Sequence, residues 1–317
     1  MSEGRDIGII VLVIFWIEAM IRKCFPRRLA GLLFISVLPA FLLGTATHAA
    51  PDELFPPAIV ELTIDSEGHR LPALVYLANG KGPHPTVVLL HGFPGNEKNL
   101  DIAQSLRRAG FNVLFFHYRG AWGADGEYSV VSLPDDVAAV LQFLRTPGNA
   151  EQLRVDTGRL SLLGHSMGGY AALAAGSRDK ALVCVGAMAP GNLGDFKRAI
   201  DAGGPSGDWI LDYADTLFML RAYSGAKMKR ELGEVAQKDV DLRTFGPVLA
   251  SKSVFLVVGD KDTVTPAESM FRPIADSYRS TPDLTLQAHV ISGDHSFSWS
   301  REELTKLVES WMLRDCR

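Results

Sequence analysis

The chain has 317 residues, 47% of them apolar and 21% charged, enough to bury a large core in one large domain or two small ones. Its formal net charge of −4 gives no basic surface that would mark it for nucleic acid. It carries no internal repeat, no low-complexity tract and no HExxH, CxxC or His/Cys cluster at metal-ligand spacing, so neither a solenoid nor a metal centre is expected.

Residues 1–50 have a character of their own. IGIIVLVIFWIEAMI, residues 7–21, is apolar except at Glu18; RKCFPRR follows as a basic block; LAGLLFISVLPAFLLG, residues 29–44, is apolar again. Small residues come next, at Thr47, Ala49 and Ala50. Basic block, apolar run and small-residue exit are the order of a secretory signal peptide, with cleavage after Ala49 or Ala50. Read from Met20, the chain would open MIRKCFPRRLAGLLF, a well-formed signal, which makes Met20 a candidate for the true start. The alternative is an N-terminal membrane segment; each apolar run is shorter than the roughly 20 residues a spanning helix needs, and Pro39 interrupts the second. Cys24 precedes the apolar run, so there is no lipoprotein cleavage box. The expected location is therefore exported, periplasmic or secreted, or else membrane-anchored through this segment. Removing it takes away five of the 32 Lys/Arg and three of the 36 Asp/Glu, and moves the net charge to −6. It also leaves Cys184 and Cys316 as the cysteines; Cys184 sits in an apolar run and reads as a buried small hydrophobe, so no bridge is expected.

The 51–317 region opens with AIVELTIDSEG and RLPALVYLANG, which alternate as an antiparallel pair turning near Glu67-Gly68. TVVLLHGF is a continuous apolar run, the pattern of a strand covered on both faces. NLDIAQSLRRAG is an amphipathic helix closed by Gly110, and FNVLFFHYRG is a further buried strand. LPDDVAAVLQFLRT has Pro134 and acids in its first turn, as a helix start favours. After it come RLSLLGHS as strand, MGGYAALAAGSR as helix, ALVCVGAMAP and SVFLVVGD as strands, PAESMFRPIADSYRS as helix, LTLQAHVISG as strand and REELTKLVESWMLR as a last helix. The pattern predicts an α/β fold: a mostly parallel, eight-stranded sheet with helices on both faces and an antiparallel edge. Residues 191 to about 250 break the rhythm, being far longer than a usual connection and carrying Trp209, Tyr213, Phe218 and Tyr223 among charges. They read as a helical cap insertion over the carboxyl ends of the strands, where sites in open sheets lie.

Gly164-x-Ser166-x-Gly168 stands between a predicted strand and a predicted helix. A sharp strand-to-helix turn puts the serine in strained torsions, needs small neighbours two positions away on each side, and lifts the hydroxyl to a helix N-terminus. A serine needs a base. His295, in SGDHSFSW after the last strand, is on the same rim, and Asp260 and Asp262 follow the strand SVFLVVGD. Asp262 is preferred as the residue that orients the imidazole, because Asp260 directly after Gly259 reads as part of the turn. The oxyanion hole is assigned to the backbone amides of Met167, after the nucleophile, and Phe93, in HGFPG. His91 is expected to brace that loop rather than act as a base.

HGFPG at 91–95, GHSMGG at 164–169, GDKDTVTP at 259–266 and GDHSF at 293–297 together resemble an α/β-hydrolase over nearly all of residues 58–314. HYRGAWGADGEYS, 117–129, is similar to the corresponding stretch of bacterial serine esterases of the feruloyl or cinnamoyl kind and of the hydrolase domains of dipeptidyl and acylaminoacyl peptidases. The resemblance implies a Ser-His-Asp mechanism without cofactor. The chain departs from the hormone-sensitive-lipase type, having no HGGG loop, and from full prolyl oligopeptidases, having no propeller-sized N-terminal region. A carboxylesterase acting on a small-molecule ester is the first reading, with Trp122 and the cap aromatics available to line an apolar pocket. A peptidase acting on short peptides is the alternative; it would need an acid to hold the substrate's amino group, with Glu127 and Glu97 as candidates. A non-catalytic binding protein on the same scaffold is the third.

Overall fold

The computed structural model describes residues 50–317; the proposed signal or membrane segment and the Met20 start fall on residues 1–49, outside the described residues. Strand β1 (Ala58–Ser66) and strand β2 (His69–Leu77) form the expected hairpin, with Glu67 and Gly68 both at positive φ in the two-residue turn. β1 alternates between exposed and covered residues, as a one-sided edge does. Strands β3 (His84–Leu90), β4 (Asn112–Phe116), β5 (Val155–His165), β6 (Cys184–Met188), β7 (Ser253–Gly259) and β8 (Thr285–Ile291) complete an eight-stranded sheet. The order is β1-β2-β4-β3-β5-β6-β7-β8; β2 runs antiparallel to both β1 and β4, and every later pairing is parallel. β4 and β6 are buried throughout, which is why they read as unbroken apolar runs.

Two apolar layers flank the sheet. Helix α1 (Leu100–Arg108) buries Ile102, Ala103 and Leu106 in one of them. Helix α2 (Leu133–Arg145), a short helix α3 (Pro147–Gln152) that sequence periodicity does not announce, and helix α4 (Met167–Arg178) cover the opposite face.

The long connection after β6 is helical. It holds α5 (Leu193–Ala202), α6 (Pro205–Asp215), α7 (Gly225–Glu234) and short turns that end at Leu249. A buried pair pins its two ends together. Asn192 accepts hydrogen bonds from the amides of Gly194 and Leu242, and its own amide group donates to Asp195 and Asp241. Asp241 also receives Arg198 at 2.8 Å and Arg243 at 2.5 Å. Helix α8 (Arg272–Arg279) joins the face of α2 and α4, and helix α9 (Arg301–Asp315) joins α1.

The two cysteines correct the sequence expectation. Cys184 is buried, as expected, but it is paired with Cys316 in a disulfide, with Cα atoms 5.7 Å apart. Helix α9 lies across the sheet with Trp311 stacked on Phe255 of β7, and its end returns over the start of β6. A pair separated by 132 residues meets only through that packing, which local pattern does not encode.

Candidate active site

Ser166 occupies the turn between β5 and α4 at φ 57°, ψ −120°, a region that side chains with a Cβ rarely adopt. Crowding explains the glycines around it. A Cβ on Gly164 would stand 1.9 Å from the Gly168 carbonyl oxygen, and one on Gly168 would stand 2.3 Å from that of Leu90. The backbone holds the strained turn from both sides. The Ser166 amide donates to Met188 at 2.8 Å, and its carbonyl accepts from Gly169, Tyr170 and Gly191.

The structure brings Ser166, His295 and Asp262 together. His295, on the loop between β8 and α9, has Nε2 at 3.0 Å from the Ser166 Oγ and Nδ1 at 2.8 Å from the Asp262 Oδ2. The geometry fits the serine hydroxyl donating to Nε2 and Nδ1–H donating to the carboxylate. Asp262 is well anchored. Its Oδ1 accepts the amides of Val264 and Thr265, each at 2.8 Å, and its Oδ2 accepts the Thr265 hydroxyl at 2.7 Å. Burial alone would raise this carboxyl; the hydrogen bond and attraction of His295 and the bonds from Thr265 outweigh it and hold it below the usual range. Asp260 instead accepts the Gly293 amide and shapes the turn, so the structure separates the two acids that follow β7.

Phe93 and Met167 stand next to the serine. A Cβ on Gly92 would lie 2.9 Å from the Ser166 Cβ, and Met167 opens helix α4 directly after it. Among the described residues, neither the Phe93 nor the Met167 amide donates to another group. His91 is buried; its Nδ1 donates to the Gly92 carbonyl at 2.8 Å, and its Nε2 lies 3.4 Å from His117. Burial, aided by His117, pushes His91 down to about 3, so at neutral pH it is an uncharged brace. Two supporting residues escape sequence reasoning. Thr265 anchors Asp262 through its amide and its hydroxyl. His165 donates from Nε2 to the His295 carbonyl at 2.7 Å, and burial, then the neighbouring His295, lowers its pKa to about 3. The one available signal is position: His165 ends β5, directly before Ser166.

The other candidates are dispersed. Glu127 pairs with Lys227 at 2.9 Å, and Glu97 accepts the Asn99 amide at 2.7 Å. Trp122, Trp209 and Tyr213 are partly to half exposed and Phe218 fully so, whereas Tyr223 is buried against Phe93 and Tyr128. Among the described residues no group of three or more His, Cys, Asp or Glu is placed to hold a metal.

Comparison with known proteins agrees with this architecture. An "Uncharacterized 31.7 kDa protein in traX-finO intergenic region" of Escherichia coli is 31% identical over 125 residues, 38% of this chain and 41% of that protein, so the match spans about two-fifths of the relative's length. Est1E from Butyrivibrio proteoclasticus, solved with ferulic acid bound, shares the fold with a TM-score of 0.64 at 18% identity, over 80% of this chain and 98% of that one. The Pyrococcus furiosus esterase Pf2001 does so with a TM-score of 0.59 at 18% identity, over 83% and 94% of the two chains. The model of the alpha/beta hydrolase family matches residues 87–306, from β3 into the last helix and across the elbow, the acid turn and the histidine loop. By that match and by its eight-stranded architecture, the chain belongs to the alpha/beta hydrolase family.

Proposed function

We propose that the chain is a serine hydrolase that cleaves a carboxylic ester of a small molecule through an acyl-enzyme. The observation that carries this reading is the single imidazole of His295 bridging Ser166 Oγ at 3.0 Å and Asp262 Oδ2 at 2.8 Å. Ser166 Oγ attacks the ester carbonyl carbon as its proton passes to His295 Nε2. Asp262 keeps Nδ1 protonated and stabilises the imidazolium. The amides of Phe93 and Met167 receive the oxyanion, and the dipole of α4 favours the same charge. The tetrahedral intermediate collapses, the leaving alkoxide takes the proton from Nε2, and a water activated by the same nitrogen releases the acid. No step calls for a cofactor.

The esterase reading is preferred to the peptidase one because both acids that might hold a substrate amino group are engaged within the protein, Glu127 by Lys227 and Glu97 by the Asn99 amide. The non-catalytic reading would leave the anchored Asp262 and the strained Ser166 without a purpose. Turnover of p-nitrophenyl esters of graded chain length, beside aminoacyl-p-nitroanilides, tests the choice. Ester hydrolysis with inert anilides is expected, and the reverse would make the protein a peptidase. We also propose that it is exported under a cleaved signal. The Cys184–Cys316 disulfide supports this, since disulfides persist in oxidising compartments. Recovery in a periplasmic or secreted fraction with an N-terminus at Ala50 or Pro51 is expected; an intact chain in the membrane fraction would favour an anchor.

A further inference from the structure

We propose that the helical insertion positions the oxyanion loop, acting through the Trp122 indole and a cage of tyrosines around Phe93. The inference rests on the reading of the Phe93 amide as an oxyanion donor. Such a donor must be aimed before the charge develops, yet Phe93 lies on an irregular loop between β3 and α1 that has no ladder to hold it. Its neighbours are held instead. The Gly92 carbonyl accepts from His91 Nδ1 at 2.8 Å, and the Pro94 carbonyl accepts from Trp122 Nε1 at 2.8 Å. The carbonyls of the residues on both sides of Phe93 are thus tied to side chains.

The indole is presented by the insertion. Trp122 sits at φ 50°, a left-handed conformation that needs external support for a bulky residue. That support is a short antiparallel seam. The Trp122 amide donates to the Met219 carbonyl at 3.1 Å, the Arg221 amide donates to Gly120 at 2.7 Å, the Tyr128 amide donates to Arg221 at 3.1 Å, and Ala121 bridges Leu220. The Phe93 ring is clasped as well. It stacks on Tyr128 at 5.9 Å and meets the edges of Tyr213 at 5.9 Å and Tyr223 at 5.8 Å, both from the insertion. The same stretch of insertion therefore fixes the loop from two directions, through the backbone at Pro94 and through the side chain at Phe93. An insertion that shifts would carry the donor out of line. Because the donor acts on the transition state, the loss falls on kcat rather than KM.

Two variants test this. Trp122→Phe keeps the ring and removes only the N–H. Tyr213→Ala removes one half-exposed wall of the cage. With a p-nitrophenyl ester, each should lower kcat by roughly 10-fold or more, with KM within about two-fold. Phosphonylation of Ser166 by a fluorophosphonate should slow in the same proportion, since it also places charge in the hole. If both variants fold with wild-type thermal stability and keep wild-type kcat while Ser166→Ala is inactive, the positioning role is wrong and the triad reading stands. Raised KM at unchanged kcat would make these residues substrate contacts and would likewise overturn it. If the wild-type protein neither hydrolyses esters nor takes the label, the triad reading itself fails and the inference falls with it.

Discussion

Gly92→Ala isolates the contact between the proposed oxyanion loop and Ser166. Gly92 does not lie in the left-handed region, so alanine brings no backbone strain there. What it brings is a methyl group 2.9 Å from the Ser166 Cβ, 3.2 Å from the His165 carbonyl oxygen and 3.5 Å from the Ser166 Oγ. Carbon atoms rest at about 3.5–4.0 Å, so the loop or the elbow must give by roughly 0.6–1 Å. The elbow is held by the bonds of the Ser166 amide and carbonyl and by the tight Gly164–Gly168 approach, so the loop yields. A donor misplaced by about 1 Å costs on the order of 100-fold in rate, roughly 2.7 kcal/mol of transition-state stabilisation. Overpacking of this size lowers stability by only about 1–3 kcal/mol. The assay is p-nitrophenyl ester turnover by protein whose circular dichroism and thermal unfolding show it folded. A fall in kcat near 100-fold is expected. Turnover within about three-fold of wild type would refute the placement of Phe93 beside the reacting oxygen.

Acid should destabilise the fold well before the carboxylates protonate. His91 and His165 are buried and lowered to about 3 from 6.5, so below about pH 6.5 the unfolded chain binds protons that the folded one refuses. Stability is therefore complete above pH 6.5 and lost as pH falls toward 3, by about 2 kcal/mol for each histidine at pH 5; an unchanged Tm between pH 7 and pH 5 would contradict this. Removing the disulfide with Cys316→Ala opens a constraint spanning 132 residues. The expected cost is about 3 kcal/mol, a fall in Tm of roughly 6–12 °C, and a fall under about 2 °C would show that the link contributes little.

How legible each part was depended on the range over which its cause acts. The elbow was readable because Gly164, two residues before the serine, is demanded by the Gly168 carbonyl oxygen two residues after it. The buried strands were readable because burial on both faces leaves an unbroken apolar run, as in NVLFF of β4. Asp262 and His295 are legible by their places after strands, since a parallel sheet delivers all such loops to one rim. Most contacts between distant segments left no local mark, the exception being Gly168, which the Leu90 carbonyl of β3 requires to be bare. Cys184 reads as a small hydrophobe until α9 folds across the sheet. Asn192 and Asp241 look like ordinary polar residues, although together they close the insertion on itself. His165 and Thr265 adjoin the motifs, but their service to His295 and Asp262 is visible only once the loops meet. Glu127 and Glu97 are acids suggested by position whose contacts, with Lys227 and with the Asn99 amide, sequence pattern does not announce.

The central claim is that Ser166 is the nucleophile, and a fluorophosphonate addresses it directly. Folded protein treated with the reagent should gain the mass of one phosphonyl group, peptide mapping should place it on Ser166, and Ser166→Ala should stay unlabelled while unfolding at the wild-type temperature. Absence of label on the folded wild-type protein, or label on any residue other than Ser166, would contradict the account.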